Sequence, residues 1–506
     1  MPAPSSETST EPAAEGTLGD SIEAAVRRFF APRDASPEEV RWLARIADSW
    51  RTTLRRLRPL GEVSEGNAVA VLAEGDLAFG HMWAGIRAAR ERIVMETYTL
   101  ENDRVGRRTV RLLTMAAERG VDVLLVYDAV GSDIGASFTE ALTEAGGRVF
   151  AFNPVWSVRR RLSRLVRNHR KILVVDGEHA FCGGMNQGEA YAGTRYGSGL
   201  FRDTHLELHG LAARDLEALV RATVEDQGGR LRRAPLVEEL EPERPFDRIK
   251  TGTDALAQRG LDAVHSDAVH SDEQRPDEEE LGVQLPEGPY EVEDTAVGPA
   301  LAGTAGARFE ERAAEHGAFF ATRTPDVLVQ ILESNVARQR RAIQKALRLT
   351  LDRAVDHCYL TSPYFVPPRR LLRAIERAAK RGVDVRVLTA GRSDVPVVRI
   401  ASRHLYARLL KKGVRIFELQ PKALHAKIVT ADGIYASVGS FNLDAWSWRR
   451  NLEVTVAMLD RRVTATLESQ FEEDLAQSVE ICEVDWERRG LWSRCVSWLA
   501  YSVLRF

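Results

Sequence analysis

The chain of 506 residues is poor in cysteine, long apolar runs and net charge. Its four cysteines (Cys182, Cys358, Cys482 and Cys495) are widely separated, and no CxxC or Cys/His ligand cluster occurs. The sequence therefore predicts free thiols, which fit a reducing compartment. No apolar run reaches the ~18–20 residues that span a bilayer. A net charge of −3 excludes a general attraction to nucleic acid or anionic membrane, so local patches must supply any such affinity.

Two segments have the composition of disordered chain. Residues 1–20 lack the basic and apolar regions of a signal peptide, and we expect a disordered tail. Residues 238–325 contain the acidic run 277–280 and many prolines and glycines. We expect them to form an acidic, largely disordered surface insert.

The remaining sequence alternates strand-like and helix-like segments, which indicates an α/β fold. A helical region is predicted over 21–66, with residues 61–67 breaking it. The first half (67–237) then shows strands at 93–100 and 121–127 around a helix at 107–119. The second half (326–489) repeats this order with a strand at 359–365 and a helix at 370–381. Helical periodicity is also predicted over 327–353, and a C-terminal amphipathic helix over 490–506.

The two halves share specific sequence as well as order. Arg-Gly-Val-Asp-Val begins at Arg119 and again at Arg381. The pattern H-x-K-x4-D occurs as His169, Lys171 and Asp176, and again as His425, Lys427 and Asp432. This repetition predicts an internal duplication with a pseudo-twofold relation.

The match continues beyond each aspartate. Asn186 and Asn442 each lie seventeen residues after the motif histidine, preceded by the small pairs 183–184 and 439–440. On a strand, each histidine shares a face with the lysine two residues on, while the aspartate points away. We therefore expect Asp176 and Asp432 to be structural, and Gly184 and Ser440 to let the backbone approach the substrate closely.

Two imidazoles, two ammonium groups and two amides suit a phosphodiester whose charge grows in the transition state. No acidic cluster suitable for Mg²⁺ accompanies them, so no metal and no cofactor is predicted. One neutral histidine can attack phosphorus while a protonated one assists the leaving group. The two histidines must then differ in protonation, and only their neighbours can make them differ.

With these paired motifs, the sequence resembles the phospholipase D superfamily, whose signature is the paired HKD motif, and most of all the bacterial cardiolipin synthases. The phrases that carry the resemblance include METYTLENDRVG, RNHRKILVVDG, FRDTHLELHG and GSFNLD. It implies two α/β domains, each a mixed sheet flanked by helices, with one active site at their interface. It also implies His169 as nucleophile, His425 as general acid/base, and Asp203 and Glu453 as carboxylates that orient the histidines. Trp446 stands where these synthases usually have arginine.

The resemblance leaves several functions open. The leading hypothesis is a phosphatidyltransferase that makes cardiolipin and glycerol from phosphatidylglycerol through a phosphohistidine. The alternative is a hydrolase that yields phosphatidic acid; the two differ in whether the acceptor pocket excludes water. A nuclease is disfavoured by the acidic balance, and no nucleic-acid partner is expected. A non-catalytic membrane scaffold would need none of the motif residues.

Two segments predict access to lipid on the cytoplasmic side of the cell membrane, as a peripheral protein. Five arginines precede the first motif, and they are either a solvated face or a patch for anionic headgroups. The C-terminal segment places Trp492, Val496, Leu499 and Val503 on one helical stripe. That helix either docks on the core or lies in the membrane interface. The five arginines are Arg159, Arg160, Arg161, Arg164 and Arg167.

Overall fold

The computed structural model describes residues 46, 49–50, 52–154, 166–226, 322–335 and 341–504. The predicted tail, most of the predicted N-terminal helical region and all but the last four residues of the insert lie outside the described residues. So do Arg159, Arg160, Arg161 and Arg164 of the predicted basic patch.

The first half contains nine strands and four α-helices with both ends among the described residues, and residues 52–57 are also helical. The strands are β1 (Gly61–Leu72), β2 (Arg92–Thr97), β3 (Asp122–Asp128), β4 (Arg148–Phe152), β5 (Arg167–Asn168), β6 (Ile172–Val175), β7 (His179–Gly183), β8 (Phe201–Arg202) and β9 (His205–His209). The helices are α1 (Gly75–Ala88), α2 (Arg104–Glu118), α3 (Glu140–Glu144) and α4 (Leu211–Asp226), with short 3-10 turns at Arg58–Leu60 and Ala136–Thr139.

The described part of the second half repeats this order and extends it. Its strands are β10 (Thr324–Ser334), β11 (His357–Thr361), β12 (Asp384–Ala390), β13 (Arg415–Leu419), β14 (Ala423–Leu424), β15 (Ile428–Ala431), β16 (Tyr435–Gly439), β17 (Asn451–Leu459) and β18 (Ser478–Glu480). Its helices are α5 (Ala342–Arg353), α6 (Arg369–Lys380), α7 (Pro396–Leu410), α8 (Ala445–Arg449), α9 (Arg461–Ala476), α10 (Glu483–Glu487) and α11 (Leu491–Leu504).

One mixed sheet runs through both halves. From the centre outwards, one side has the order β1-β9-β7-β6-β2-β3-β4 and the other β10-β17-β16-β15-β11-β12-β13, with β18 added at that edge. Strands β1 and β10 pair antiparallel at the centre, Gly61 opposite Leu332. The two sides correspond strand for strand, so the predicted two-domain α/β fold with a pseudo-twofold is confirmed.

Helices cover both faces of this sheet. On one face, α4 and α9 share a core with strands of both halves, through residues such as Leu216 and Leu467. On the other face, α1 and α2 cover the first half, while α5, α6 and α7 cover the second. The two halves therefore share a core on one face and have separate ones on the other.

The predicted helix over 327–353 is wrong in its first part. Residues 324–334 form the central strand β10, and a helix begins only at Ala342. Val329 and Leu332 are buried in different cores, on opposite faces of the sheet. A run that is apolar on both faces has no period of two, and periodicity alone does not separate it from a buried helix.

The N-terminal helical region ends where the sequence predicts, at residues 61–67, but these residues are the start of a strand, because β1 begins at Gly61. The register between β1 and β10 shifts between Ser64 and Asn67. Gly66 lies at this irregularity with a φ of 70°, a conformation that glycine adopts without steric cost. Gly66 therefore marks a bulge within β1 and not a loop between two elements.

Candidate active site

Each motif runs through a short hairpin whose turn is fixed by the motif aspartate. Asp176 (φ 52°) and Asp432 (φ 53°) both precede a glycine with positive φ. Asp176 accepts backbone N–H bonds from residues 90–92 at the start of β2. Asp432 accepts the corresponding bonds from residues 355–357 and one from Nε1 of Trp50. The aspartates thus tie each hairpin to the neighbouring strand and point away from the histidines.

Two short parallel strand pairs bring the halves together at the motif histidines. Strand β5 pairs with β17, which places Asn168 opposite Leu452. Strand β14 pairs with β8, which places Leu424 opposite Arg202. In parallel register, the next residues are neighbours as well, so His169 lies beside Glu453 and His425 beside Asp203.

Each histidine is therefore held by a carboxylate from the other half. Nδ1 of His169 lies 3.0 Å from Oε2 of Glu453 and 3.0 Å from the carbonyl oxygen of Ser440. Nδ1 of His425 lies 2.6 Å from Oδ2 of Asp203. Because Nδ1 is engaged in both rings, Nε2 is the nitrogen that remains to react with a substrate.

The two lysines lie beside their histidines and are buried. Nζ of Lys171 donates to the carbonyl oxygen of His169 at 2.8 Å. Nζ of Lys427 donates to the carbonyl oxygen of His425 and lies 2.8 Å from Nδ1 of that ring. Burial lowers the pKa of Lys171 to about 7, helped by repulsion from Lys427, and lowers the pKa of Lys427 to about 8.

The same burial acts on the two histidine–carboxylate pairs, His169 with Glu453 and His425 with Asp203, which we call the dyads. Burial lowers the pKa of His169 to about 4, although Glu453 opposes it, and it lowers the pKa of His425 as well. Burial alone would raise the pKa of Asp203, but His425 and Lys427 bring it down to about 2. Both rings are thus neutral in the free protein at pH 7. The predicted difference in protonation must arise once a substrate is bound.

The small residues before each asparagine shape the two half-sites differently. A Cβ on Gly184 would lie 2.1 Å from Oδ1 of Asp203, so only glycine allows that carboxylate its position. Ser440 occupies the equivalent place in the second half, and its hydroxyl donates to Oε2 of Glu453. The longer glutamate side chain is therefore held by one more hydrogen bond than the aspartate.

The two asparagines are buried near the dyads but differ in their contacts. Oδ1 of Asn186 accepts the backbone N–H of Thr99, and its Nδ2 donates to the hydroxyl of Tyr191 at 2.7 Å. Oδ1 of Asn442 is buried without a hydrogen-bond partner among the described residues. The structure thus joins the predicted histidines, lysines and carboxylates directly, and it links Asn186 to His425 through Tyr191.

Sequence reasoning did not single out several aromatic residues that pack against the histidines. The Tyr98 ring lies 5.0 Å from the His169 ring, and Nζ of Lys171 lies 5.2 Å from the centre of Tyr98. The rings of Tyr191 and Phe201 lie 5.1 and 5.3 Å from His425. Tyr98 falls within a phrase that carried the family resemblance, so proximity to that phrase was the available signal.

Two residues singled out in the sequence, Arg167 and Trp446, make contacts that the sequence did not predict. Arg167, assigned to a basic headgroup patch, is instead buried, with Nη1 3.1 Å from Oδ1 of Asp128, so it does not contribute to such a patch. Trp446, which replaces the usual arginine, lies in α8, whose first turn is capped by Asp444. The guanidinium of Arg450 stacks on Trp446 at 4.5 Å, so a cation still lies near this position.

Comparison with known proteins agrees with this geometry. The family profile described as cardiolipin synthase, PLD-like domain, matches residues 82–205 and 347–475. Cardiolipin synthase A of Pseudomonas aeruginosa is 30% identical over 420 residues, which cover 83% of this chain and 69% of that protein. The chain belongs to the cardiolipin synthase family of the phospholipase D superfamily. The family resemblance is confirmed, and with it a cardiolipin synthase-like phosphatidyltransferase as the class of enzyme.

Other relatives extend the match along the chain. The cardiolipin synthase of a Geobacillus species is 29% identical over 454 residues, covering 89% of this chain and 75% of that protein. Among solved structures, phosphatidylserine synthase from Haemophilus influenzae superposes with a TM-score of 0.55 at 14% identity. That similarity covers 90% of this chain and 97% of the other, and it shows a shared fold.

Proposed function

We propose that the protein transfers a phosphatidyl group from one phosphatidylglycerol to a hydroxyl of another, giving cardiolipin and glycerol. Nε2 of His169 attacks phosphorus, the bond from phosphorus to the glycerol oxygen breaks, and His425 donates a proton to that oxygen. The acceptor hydroxyl then attacks phosphorus and gives its proton to His425, and the P–N bond breaks. The observation that carries this proposal is the pair of dyads, each built from both halves.

The roles given to the two rings are those that the family resemblance implies. A neutral imidazole is the nucleophile, and the low pKa of His169 keeps it neutral at pH 7. Burial lowers the pKa of His425, and the charge of Lys427 lowers it further; lysine charge acts on His169 in the same direction. A bound phosphodiester anion offsets these charges and makes an imidazolium easier to form. We propose that His425 is the ring that takes up the proton.

Preorganised hydrogen-bond donors stabilise the negative charge that develops on the phosphate oxygens. Lys171 and Lys427 supply two ammonium groups, and Asn186 and Asn442 supply amide groups. Such donors in a buried site stabilise a developing oxyanion more than they would in water. Asp176 and Asp432 keep the structural role predicted for them, and Gly184 and Ser440 set the positions of the two carboxylates.

An acidic group near His425 supports an alcohol as acceptor. Asp394 follows β12, and its Oδ2 accepts a 2.5 Å hydrogen bond from the hydroxyl of Tyr364. Its Oδ1 is buried without a hydrogen-bond partner among the described residues. The Asp394 charge also acts on His425 and Lys427. We propose that this carboxylate oxygen accepts a hydroxyl of the glycerol headgroup.

Peripheral attachment to an anionic membrane, on its cytoplasmic side, is proposed from helix α11. Among the described residues, no helix combines the length and apolarity that crossing a bilayer requires. Helix α11 buries Ser497 and Tyr501, and the Tyr501 ring lies 4.8 Å from that of His404 on α7. Its other face is exposed. The helix therefore docks on the core and still presents an apolar surface.

That surface has the composition of a membrane-interface helix. The exposed fractions of Trp492, Trp498 and Leu499 are 82%, 57% and 59%. Arg494 is exposed on the same helix. Tryptophan at the headgroup level and arginine beside anionic lipid are the two features that hold such helices in the interface.

The decisive experiment identifies the products from phosphatidylglycerol vesicles. Purified protein is expected to release glycerol and cardiolipin in equal amounts, and His169→Ala and His425→Ala are each expected to abolish both. Lys412→Ala, at an exposed lysine beyond α7, is the control for activity lost during purification. Phosphatidic acid as the sole lipid product would replace the transferase by the hydrolase, and full activity in both histidine variants would overturn the shared site.

A further inference from the structure

A second cluster of ionisable side chains lies at the end of β7 and β9 that is remote from the dyads. His179 begins β7 and His209 ends β9, and the two residues are opposite each other in the antiparallel ladder. Glu207 lies on the same face of β9 as His209, two residues earlier. Gly183, at the far end of β7, is four residues from His179, or about 13 Å along the strand.

The three side chains converge on one point. Oε1 of Glu207 lies 2.8 Å from Nε2 of His179 and 3.2 Å from Nε2 of His209. The two imidazole rings are stacked with centroids 4.0 Å apart and an interplanar angle of 16°. The three potential ligand atoms all lie within 4.8 Å of one another. Two Nε2 atoms and a carboxylate oxygen thus face one small volume.

We propose that His179, Glu207 and His209 bind a divalent cation of the zinc type. Neutral imidazole nitrogens and a carboxylate oxygen are the donors that Zn²⁺ takes at about 2.0–2.2 Å. Tetrahedral ligands at that distance are about 3.3 Å apart. The observed nitrogen-to-oxygen separations need to widen by about 0.5 and 0.1 Å, and the stacked rings need to rotate so that both in-plane lone pairs point at the ion. The ion would replace the protons that now lie between these atoms.

The surroundings of Glu207 support binding rather than a plain surface ion pair. The Glu207 side chain is only 2% exposed, whereas those of His179 and His209 are 21% and 33% exposed, so an ion has a route from solvent. Nδ1 of His81, on α1, lies 2.8 Å from Oε2 of Glu207. A hydrogen bond to the second oxygen of a ligating carboxylate is the usual support for a metal ligand.

Arg323 is a contact that opposes a cation. Its Nη2 lies 2.9 Å from Oε1 of Glu207, and its side chain is 42% exposed. A carboxylate oxygen has two lone pairs, so one can face the ion while the other keeps the arginine. The guanidinium still repels the ion, but the exposed Arg323 side chain can adopt another rotamer that moves it away. Arg323 therefore tunes the affinity of the site.

The position of the cluster indicates a structural ion. It joins β7 to β9, whose remote ends lead into Gly184 and border Asp203, the partner of His425. An ion would hold these two strands together and support that half-site from a distance. The inference rests on the cluster alone and does not depend on the proposed lipid reaction.

The test uses full-length protein freed of any affinity tag and dialysed against a chelator. Titration calorimetry with ZnCl₂ is expected to give one ion per chain, and the melting temperature is expected to rise with Zn²⁺ and return with EDTA. Since first-row metals follow a general affinity order, Cu²⁺ and Ni²⁺ are tested in parallel, and Mg²⁺ is expected to give no shift.

Variants then locate the ion. His179→Ala, His209→Ala and Glu207→Gln are each expected to weaken binding by more than about 100-fold, and His81→Ala by about 10–100-fold. Arg323→Gln is expected to strengthen it about 10-fold, which a merely damaged fold would not do. His404→Ala is the control histidine. Absence of a bound ion in wild-type protein, or unchanged binding in the His179→Ala, His209→Ala double variant, would overturn the proposal.

Discussion

Glu453 and His169 lie in opposite halves of the chain, yet Oε2 of the glutamate is 3.0 Å from Nδ1 of the histidine. In the pseudo-twofold equivalent of this contact, Oδ2 of Asp203 in the first half lies 2.6 Å from Nδ1 of His425 in the second. Neither half therefore contains both members of either motif-histidine dyad. The active site depends on the parallel register of β5 with β17 and of β14 with β8.

The first prediction concerns this exchange of carboxylates. Glu453→Gln and Asp203→Asn keep the shape of each side chain but remove the charge that stabilises an imidazolium. Each is expected to lower kcat by about 10²–10⁴, the range of acid/base assistance. Glu468 pairs with His357 at 2.8 Å outside the site, so Glu468→Gln is the matched control. If Glu468→Gln lowered kcat as much as Glu453→Gln, the dyad carboxylates would have no specific role in catalysis.

The second prediction concerns pH. Lys171 and Lys427, with pKa values of about 7 and 8, carry charge below those values and lose it as the pH rises. Since the charge binds the phosphodiester, kcat/KM is expected to fall as pH increases through 7–8. Bound phosphate favours the charged lysines, so the corresponding limb of kcat is expected at higher pH. On the acid side, His169 with a pKa of about 4 stays neutral down to that region.

A pH series on vesicles of fixed composition measures both limbs. Lys171→Arg keeps its charge at all accessible pH values, so its kcat/KM is expected to lose the part of the fall near pH 7 and to keep the part near pH 8 that Lys427 causes. A wild-type kcat/KM that stays constant from pH 6 to pH 9.5 would contradict the lysine assignment.

The third prediction compares the two motif aspartates. Oδ1 of Asp176 accepts the N–H groups of residues 90–92, and its Oδ2 accepts only the N–H of Arg90 as well, so asparagine can keep most of these bonds. Oδ2 of Asp432 accepts the equivalent N–H of Val355 and, in addition, Nε1 of Trp50 at 2.8 Å, and an amide nitrogen would face both donors. Asp432→Asn is expected to lower the free energy of unfolding by about 3 kcal/mol and Asp176→Asn by about 1 kcal/mol.

Chemical denaturation measures this difference, and a double-mutant cycle with Trp50→Phe isolates the indole contribution. Equal losses in the two asparagine variants would show that Trp50 adds nothing to the second anchor.

The fourth prediction concerns membrane binding. Replacing Trp492 and Trp498 by serine removes exposed aromatic surface from α11 and is expected to weaken binding to phosphatidylglycerol vesicles by about 10-fold or more. Activity on a soluble short-chain substrate is expected to remain. Val479, exposed on β18, gives the control Val479→Ser. Undiminished sedimentation with vesicles in the double variant would exclude α11 as the attachment surface.

The fifth prediction concerns the acceptor. Asp394→Asn keeps one oxygen but loses the charge proposed to hold a glycerol hydroxyl. The ratio of cardiolipin to phosphatidic acid is expected to fall several-fold, while the rate of glycerol release changes less. Product ratios from labelled phosphatidylglycerol measure this. An unchanged ratio with a lower overall rate would assign Asp394 to structure rather than to acceptor selection.

The paired motifs predicted the histidines, lysines and asparagines because duplication repeats them at fixed spacing. Which carboxylate serves which histidine was beyond the sequence, because strands β5 and β8 are only two residues long and show no periodicity. The central strand β10 was assigned to a helix because it is apolar on both faces. His81, His179, Glu207 and His209 are brought together only by the fold, so no motif indicates them.

The most direct test of a single site split across two halves is a rapid quench at neutral pH with phosphatidylglycerol, followed by peptide mapping. A phosphatidyl group is expected on the peptide that carries His169, absent in His169→Ala and formed far more slowly in Glu453→Gln. A phosphatidyl group on neither motif histidine, or one that forms on His169 at the same rate in Glu453→Gln, would contradict a single site split across the halves.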